Sequence, residues 1–104
     1  MKLVNTVIKE RICYIEMQNA DHFNCLSEEM CQELIESLQY GYDQECVGIV
    51  IKAQCKKGVW SAGHDIRELP QDGNDPLAYD VPMEKLIRKV QETPIPVIAC
   101  VDGT

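Results

Sequence analysis

Two β-branched runs constrain this chain more than any other feature. They are Val47-Gly48-Ile49-Val50-Ile51-Lys52-Ala53 and Ile95-Pro96-Val97-Ile98-Ala99-Cys100-Val101. A near-continuous apolar run of this length fits a strand buried on both faces, as in a parallel sheet. Parallel neighbours cannot be joined by a tight hairpin, so a crossover has to run between them. The intervening sequence supplies one. Asp80 and Pro82 mark a helix start, Met83, Leu86, Ile87 and Val90 form an apolar face, and Thr93-Pro94-Ile95-Pro96 ends it. The pair of runs therefore predicts a βαβ unit, right-handed by the general rule, with Val47–Ala53 and Val97–Val101 as adjacent parallel strands.

Upstream, Leu3–Lys9 and Ile12–Met17 are rich in β-branched residues and are separated by a charged break. They predict an antiparallel hairpin. Asn19–Asn24 is polar and turn-like. Ser27 is a helix N-cap, with Glu28 and Glu29 in the first turn where the helix dipole favours negative charge. Met30, Cys31, Leu34, Ile35, Leu38 and Tyr42 form one stripe at helical spacing, with Gly41 as its terminator and Glu29, Gln32, Glu33, Glu36 and Gln39 on a solvated face. The predicted order is β-β-α-β-α-β, in which Ile66–Leu69 starts a short helix and Gln71–Asp75 is a linker.

The 104 residues suffice for one small domain. Lys and Arg number 10 against 17 Asp and Glu, a formal charge of −7, which argues against nucleic acid as a partner. The longest basic cluster is Lys56-Lys57, too short for a polybasic membrane patch. No apolar run approaches the ~20 residues of a membrane-spanning helix. The first residues lack a signal-peptide core. These features predict a cytoplasmic location. Six cysteines are present, at 13, 25, 31, 46, 55 and 100. Without a secretory leader, and with Cys13, Cys31 and Cys100 at positions an apolar residue would fill, they read as reduced, buried thiols. No CxxC pair occurs and His22 and His64 are the only imidazoles, so no metal site is expected.

The chemistry-bearing stretch is Val59–Leu69. It follows a predicted buried strand and leads towards a helix start, the place where open α/β sheets bind ligands. A glycine-containing turn there exposes backbone N–H groups near Gly63, His64 and Asp65 that suit an oxyanion; the bland reading is only a turn.

Trp60-Ser61-Ala62-Gly63-His64-Asp65-Ile66 resembles the oxyanion-hole segment of the crotonase (enoyl-CoA hydratase/isomerase) superfamily. Asn24-Cys25-Leu26-Ser27 is similar to that family's Asn-Ala-Leu stretch, and Pro94–Gly103 resembles the strand leading to its second glycine-rich loop. The three segments stand in family order. The resemblance implies an α/β fold, namely the N-terminal part of a crotonase (ClpP-like) β-β-α spiral cut short at Thr104, with residues 1–104 forming one part of an acyl-CoA-binding domain. It implies an acyl-CoA thioester as partner, and trimers or dimers of trimers among full-length relatives.

Residue by residue, the resemblance makes the N–H of His64 one of two catalytic oxyanion donors, unpaired in the protein and facing a cavity near Ala62. The His64 imidazole is either a participant or a polar wall of the acyl pocket. Cys25, Leu26, Ala62, Gly63, His64, Asp65, Ile66 and Arg67 fall at substrate- and CoA-binding positions. The backbones of Cys25, Leu26 and Ala62 match those that hold adenine and pantetheine, Asp65 caps the next helix, and Arg67 faces the CoA phosphates. Gln18-Asn19-Ala20 departs from the family's Asn-Arg-Pro, which removes a usual phosphate-binding cation and leaves His22, Lys56 and Lys57 as candidate substitutes. Ala-Gly-His-Asp-Ile-x-Glu-Leu-Pro, followed by Asp75-Pro76-Leu77, is similar to members that decarboxylate malonyl-type thioesters such as methylmalonyl-CoA. Enoyl-CoA hydration or isomerisation is the alternative, and a non-catalytic CoA-binding or interaction module is another. No metal or redox cofactor is implied. The second donor and the acid/base groups belong to family segments beyond Thr104, so these 104 residues alone are expected to show no turnover and to self-associate through uncovered apolar faces.

Overall fold

A computed structural model describes residues 2–63 and 82–103. The predicted helix at Ile66–Leu69, the linker at Gln71–Asp75 and the helix-start residue Asp80 lie outside them. The observed order is β1 (Val4–Lys9), β2 (Ile12–Met17), a 3-10 turn (Ala20–His22), α1 (Glu28–Asp43), β3 (Gly48–Ala53), α2 (Pro82–Glu92) and β4 (Val97–Ala99). The sheet runs β1-β2-β3-β4. β1 and β2 are antiparallel, with Val4 opposite Met17 and Lys9 opposite Ile12. Glu10 and Arg11 turn the hairpin with φ of 50° and 66°, the pair of left-handed residues that matches strand twist in a two-residue loop. β2 and β3 are parallel, as are β3 and β4, with Ile49 opposite Val97. The β-β-α-β-α-β expectation and the adjacency of the two runs are both met.

One face of the sheet is covered. Val4, Cys13, Ile15, Met17 and Ile49 point inward and are buried against Met30, Cys31, Leu34 and Leu38 of α1, and Leu86 of α2 belongs to the same cluster. α1 begins as predicted: the Ser27 hydroxyl accepts from the Met30 N–H at 3.2 Å, which satisfies one of the helix's open donors.

The opposite face of the sheet carries Asn5, Val7 and Lys9 exposed, Tyr14, Glu16 and Val50 half-buried, and Lys52 and Ile98 exposed. The Lys52 ammonium lies 5.7 Å from the centre of the Tyr14 ring. The two β-branched runs are therefore not buried on both faces. The second run contributes only three strand residues at the sheet edge, and Ile98 is 58% exposed.

Other expectations are corrected by α1. Gly41 does not end the helix; it is buried inside it. A Cβ there would lie 3.0 Å from both Cβ and Sγ of Cys13, so glycine is the residue that lets α1 approach β2 closely. The helix continues to Asp43, and Tyr42 is exposed rather than part of the buried stripe. Ile87 of α2 is likewise exposed. Glu33 is not merely solvated. Its carboxylate accepts from the N–H of Leu3 at 2.9 Å and of Val4 at 3.1 Å, anchoring the start of β1 to the helix through charge-assisted bonds.

All six cysteines are thiols, four of them buried, whereas Cys55 and Cys100 are exposed, contrary to the expectation of burial for both. Burial, with a smaller contribution from neighbouring Cys46, pushes the Cys13 thiol from 9.0 up to about 11. Between those values the unfolded chain has released the Cys13 proton and the folded chain keeps it. Stability attributable to this group is therefore present below pH 9 and is lost as pH rises towards 11. Urea midpoints measured from pH 8 to 11 should fall across that window, and in native protein at pH 8 a disulfide reagent should titrate Cys55 and Cys100 quickly and the other four only after unfolding. Fast modification of Cys13 in the native state would contradict the buried placement.

Candidate functional site

The site region is the meeting of two loops beyond the ends of parallel strands. One leaves β2 and runs through 19–26 into α1; the other leaves β3 and runs through 54–63. Hydrogen bonds lace residues 23–26 to residues 61–63. The Ala62 N–H donates to the Phe23 carbonyl at 2.8 Å, the Leu26 N–H to the Gly63 carbonyl at 2.6 Å, and the Ser61 hydroxyl to the Asn24 carbonyl at 2.8 Å. Gly63 has φ of +81°, a left-handed conformation that glycine adopts without steric cost.

Four of the sequence-predicted site residues are thus brought together: Cys25 (buried), Leu26 (half-buried), Ala62 (exposed) and Gly63. His64, Asp65, Ile66 and Arg67 lie outside the described residues, and so does the expected orientation of the His64 N–H. Of the candidate cations, Lys56 sits on the rim and pairs with Asp21 of the 3-10 turn at 3.1 Å, and His22 is exposed on the same turn. Two cavities lined by described residues lie elsewhere. One of about 480 Å³ lies between β1 and α1, lined by Thr6, Glu33, Ser37 and Tyr40 among others, and one of about 260 Å³ lies on the outer face of the sheet. No cluster of three or more potential metal ligands occurs among the described residues.

Sequence reasoning placed Asn24 at the end of a polar turn and as the first residue of a resemblance, yet its side chain joins both loops of the region. It is fully buried. Its Oδ1 accepts from the Asn19 N–H at 2.8 Å, and its Nδ2 donates to the carbonyls of Gln54 at 2.8 Å and Trp60 at 3.0 Å. The available signal was Asn itself at a loop end, since Asn is enriched at left-handed positions and Asn24 has φ of 49°.

A second junction holds the β3 loop to the chain after β4. The Trp60 indole donates to the Cys100 carbonyl at 2.9 Å, and the Cys55 thiol lies 3.5 Å from the Asp102 carbonyl. Gly103, at φ +91°, presses so closely on Gly58 that a Cβ would come within 2.1 Å of its carbonyl oxygen. The three segments singled out by sequence are therefore contiguous: 24–26 is laced to 61–63, and the 58–60 stretch just before that is held to 100–103.

The enoyl-CoA hydratase/isomerase family model matches residues 7–104, nearly the whole chain. The chain belongs to the enoyl-CoA hydratase/isomerase family. Over 101 residues it is 37% identical to methylmalonyl-CoA decarboxylase of Escherichia coli K12, covering 97% of this chain and 39% of that enzyme. The solved structure of methylmalonyl-CoA decarboxylase in complex with 2-nitronate-propionyl-CoA superposes with a TM-score of 0.91 at 36% identity, over 98% of this chain and 39% of that one. Human enoyl Coenzyme A hydratase domain-containing protein 3 superposes with a TM-score of 0.81 at 27% identity, over 98% of this chain and 41% of that one. This crotonase-family chain thus spans about two fifths of the length of the relatives it matches and corresponds to their N-terminal part. Among its described residues no helix is long and apolar enough to cross a membrane.

Proposed function

We propose that this chain forms the CoA- and thioester-binding part of a site that decarboxylates a malonyl-type CoA thioester such as methylmalonyl-CoA. The observation that carries the reading is the likeness, in both sequence and backbone, to a decarboxylase whose structure was solved with an acyl-CoA analogue. In the reaction the bond between the α-carbon and the carboxylate breaks. Carbon dioxide leaves, and the electron pair passes to the thioester carbonyl as an enolate oxygen, after which a proton adds at the α-carbon. Each backbone N–H aimed at that oxygen is worth about 3 kcal/mol in the transition state. The N–H of His64 is the donor assigned here, supported by its place directly after the laced Ala62-Gly63 segment. The Cys25, Leu26 and Ala62 backbones, with Gly63, Asp65, Ile66 and Arg67, are assigned to the CoA and acyl moieties. Because carbon dioxide loss itself yields the enolate, no strong base is required, and no metal or redox cofactor enters the scheme.

The decisive sample is a chimera of residues 1–104 joined to the remaining portion of the E. coli decarboxylase, checked for folding by circular dichroism. It should convert methylmalonyl-CoA to propionyl-CoA and carbon dioxide, with crotonyl-CoA hydration at background. A folded chimera that hydrates crotonyl-CoA and leaves methylmalonyl-CoA intact would replace this reading with the hydratase one.

A further inference from the structure

We infer that Asn24 and Ser61 are positioning residues that clamp the two loops of the site into one rigid unit. Every hydrogen-bonding atom of the Asn24 carboxamide is engaged: one carbonyl oxygen on the Asn19 N–H, and the amide nitrogen on the carbonyls of Gln54 and Trp60. These partners lie in both loops, so the side chain spans the gap between the end of β2 and the end of β3. An aspartate cannot donate to two carbonyls, and a glutamine is one methylene too long for the space. The Asn24 N–H also donates to the Asn19 carbonyl at 3.0 Å, which closes the 19–24 loop reciprocally.

Ser61 extends the clamp by a relay. The Gly63 N–H donates to the Ser61 hydroxyl at 3.1 Å, and that hydroxyl donates to the Asn24 carbonyl at 2.8 Å. The relay runs alongside the Ala62-to-Phe23 and Leu26-to-Gly63 bonds, so the peptide planes of 61–63 are fixed against those of 23–26 from both the main chain and the side chains. A backbone donor directed at a reacting oxygen has to be held within about 0.5 Å of its productive position. Two surface loops do not supply that precision by themselves; a fully buried amide shared between them does. What the clamped segments hold rests on the function proposed above, but the clamp itself does not.

The test reads both levels. Ser61→Ala removes the relay, Ser61→Thr keeps a hydroxyl, and Asn24→Gly keeps the left-handed backbone while deleting the carboxamide. Circular dichroism confirms the fold of each. Hydrogen exchange at the Ala62 and Leu26 amides is compared with exchange at β2 amides, and propionyl-CoA affinity is measured in the chimera carrying each change. In Ser61→Ala and Asn24→Gly, exchange at Ala62 and Leu26 should accelerate at least tenfold with β2 unchanged, and propionyl-CoA affinity should fall about tenfold, with Ser61→Thr close to the parent in both. Folded Ser61→Ala with unaltered exchange at these amides overturns the clamp. If the parent chimera binds no acyl-CoA, the functional reading fails, while the exchange data still decide the clamp. Should Asn24→Gly not fold, the comparison of Ser61→Ala with Ser61→Thr decides.

Discussion

Leu38→Ala is expected to lower stability by about 2–5 kcal/mol, whereas Tyr42→Ala changes it by no more than about 0.5 kcal/mol. Both residues fall on the apolar stripe of α1 as the sequence is written. Leu38 has no exposed surface and belongs to the cluster between α1 and the sheet, while Tyr42 is 48% exposed. Removing the Leu38 side chain loses its transfer free energy and leaves a cavity that close-packed neighbours fill only in part. A domain of this size has a total stability of about 5–15 kcal/mol, and each kcal/mol shifts the midpoint by about 4–8 °C. Thermal melts should therefore show Leu38→Ala unfolding at least about 8 °C early, with Tyr42→Ala beside the parent. Equal effects of the two substitutions would mean that α1 is rotated from its described orientation.

Gly103→Ala should leave the sheet and helices intact but break the junction that holds the β3 loop. A Cβ at this position lies 2.1 Å from the Gly58 carbonyl oxygen, with the Gly58 carbonyl carbon at 2.9 Å. Backbone, not a flexible side-chain tip, is in the way, so the two segments must separate by more than an ångström. The left-handed φ adds about 1–2 kcal/mol for any residue with a Cβ. Separation stretches the bond from the Trp60 indole to the Cys100 carbonyl. Trp60 is the only tryptophan in the sequence, so its emission should shift to the red in Gly103→Ala with far-ultraviolet circular dichroism unchanged. Gly58→Ala is the control: its φ is +73°, but nothing lies within 4 Å of the added Cβ, and the emission should hold. Since misplacement of about 1 Å can cost 10² in rate, decarboxylation by the chimera carrying Gly103→Ala should fall by about that factor. Unchanged emission and rate would refute the close approach of the two segments.

The elements and their order are legible along the chain. Two β-branched runs either side of a charged break made the hairpin readable at Leu3–Met17, and a Ser27 cap with a 3.6-residue stripe made α1 readable. Two β-branched runs flanking a helical pattern made the parallel pair readable. Each of these signals is local, set by neighbours within a few positions, and short-range propensities and periodicity are legible wherever tertiary contacts agree with them. The two site loops were legible through the resemblance of two short strings, Asn24–Ser27 and Trp60–Ile66, to family segments, since on spacing alone the glycine turn reads only as a turn. Properties that depend on residues far apart in the chain emerge only from packing. That the sheet is covered on one face leaves Ile98 exposed in a run that reads as core. That α1 needs a close approach to β2 makes Gly41 a contact with Cys13 instead of a helix end. Glu33 reaches the first residue of β1, 29 positions away, and the Asn24 carboxamide bonds two carbonyls of the β3 loop, 30 and 36 residues downstream. A pattern read along the chain carries no record of such pairings, because a buried polar group is satisfied by whichever donor or acceptor the fold brings beside it.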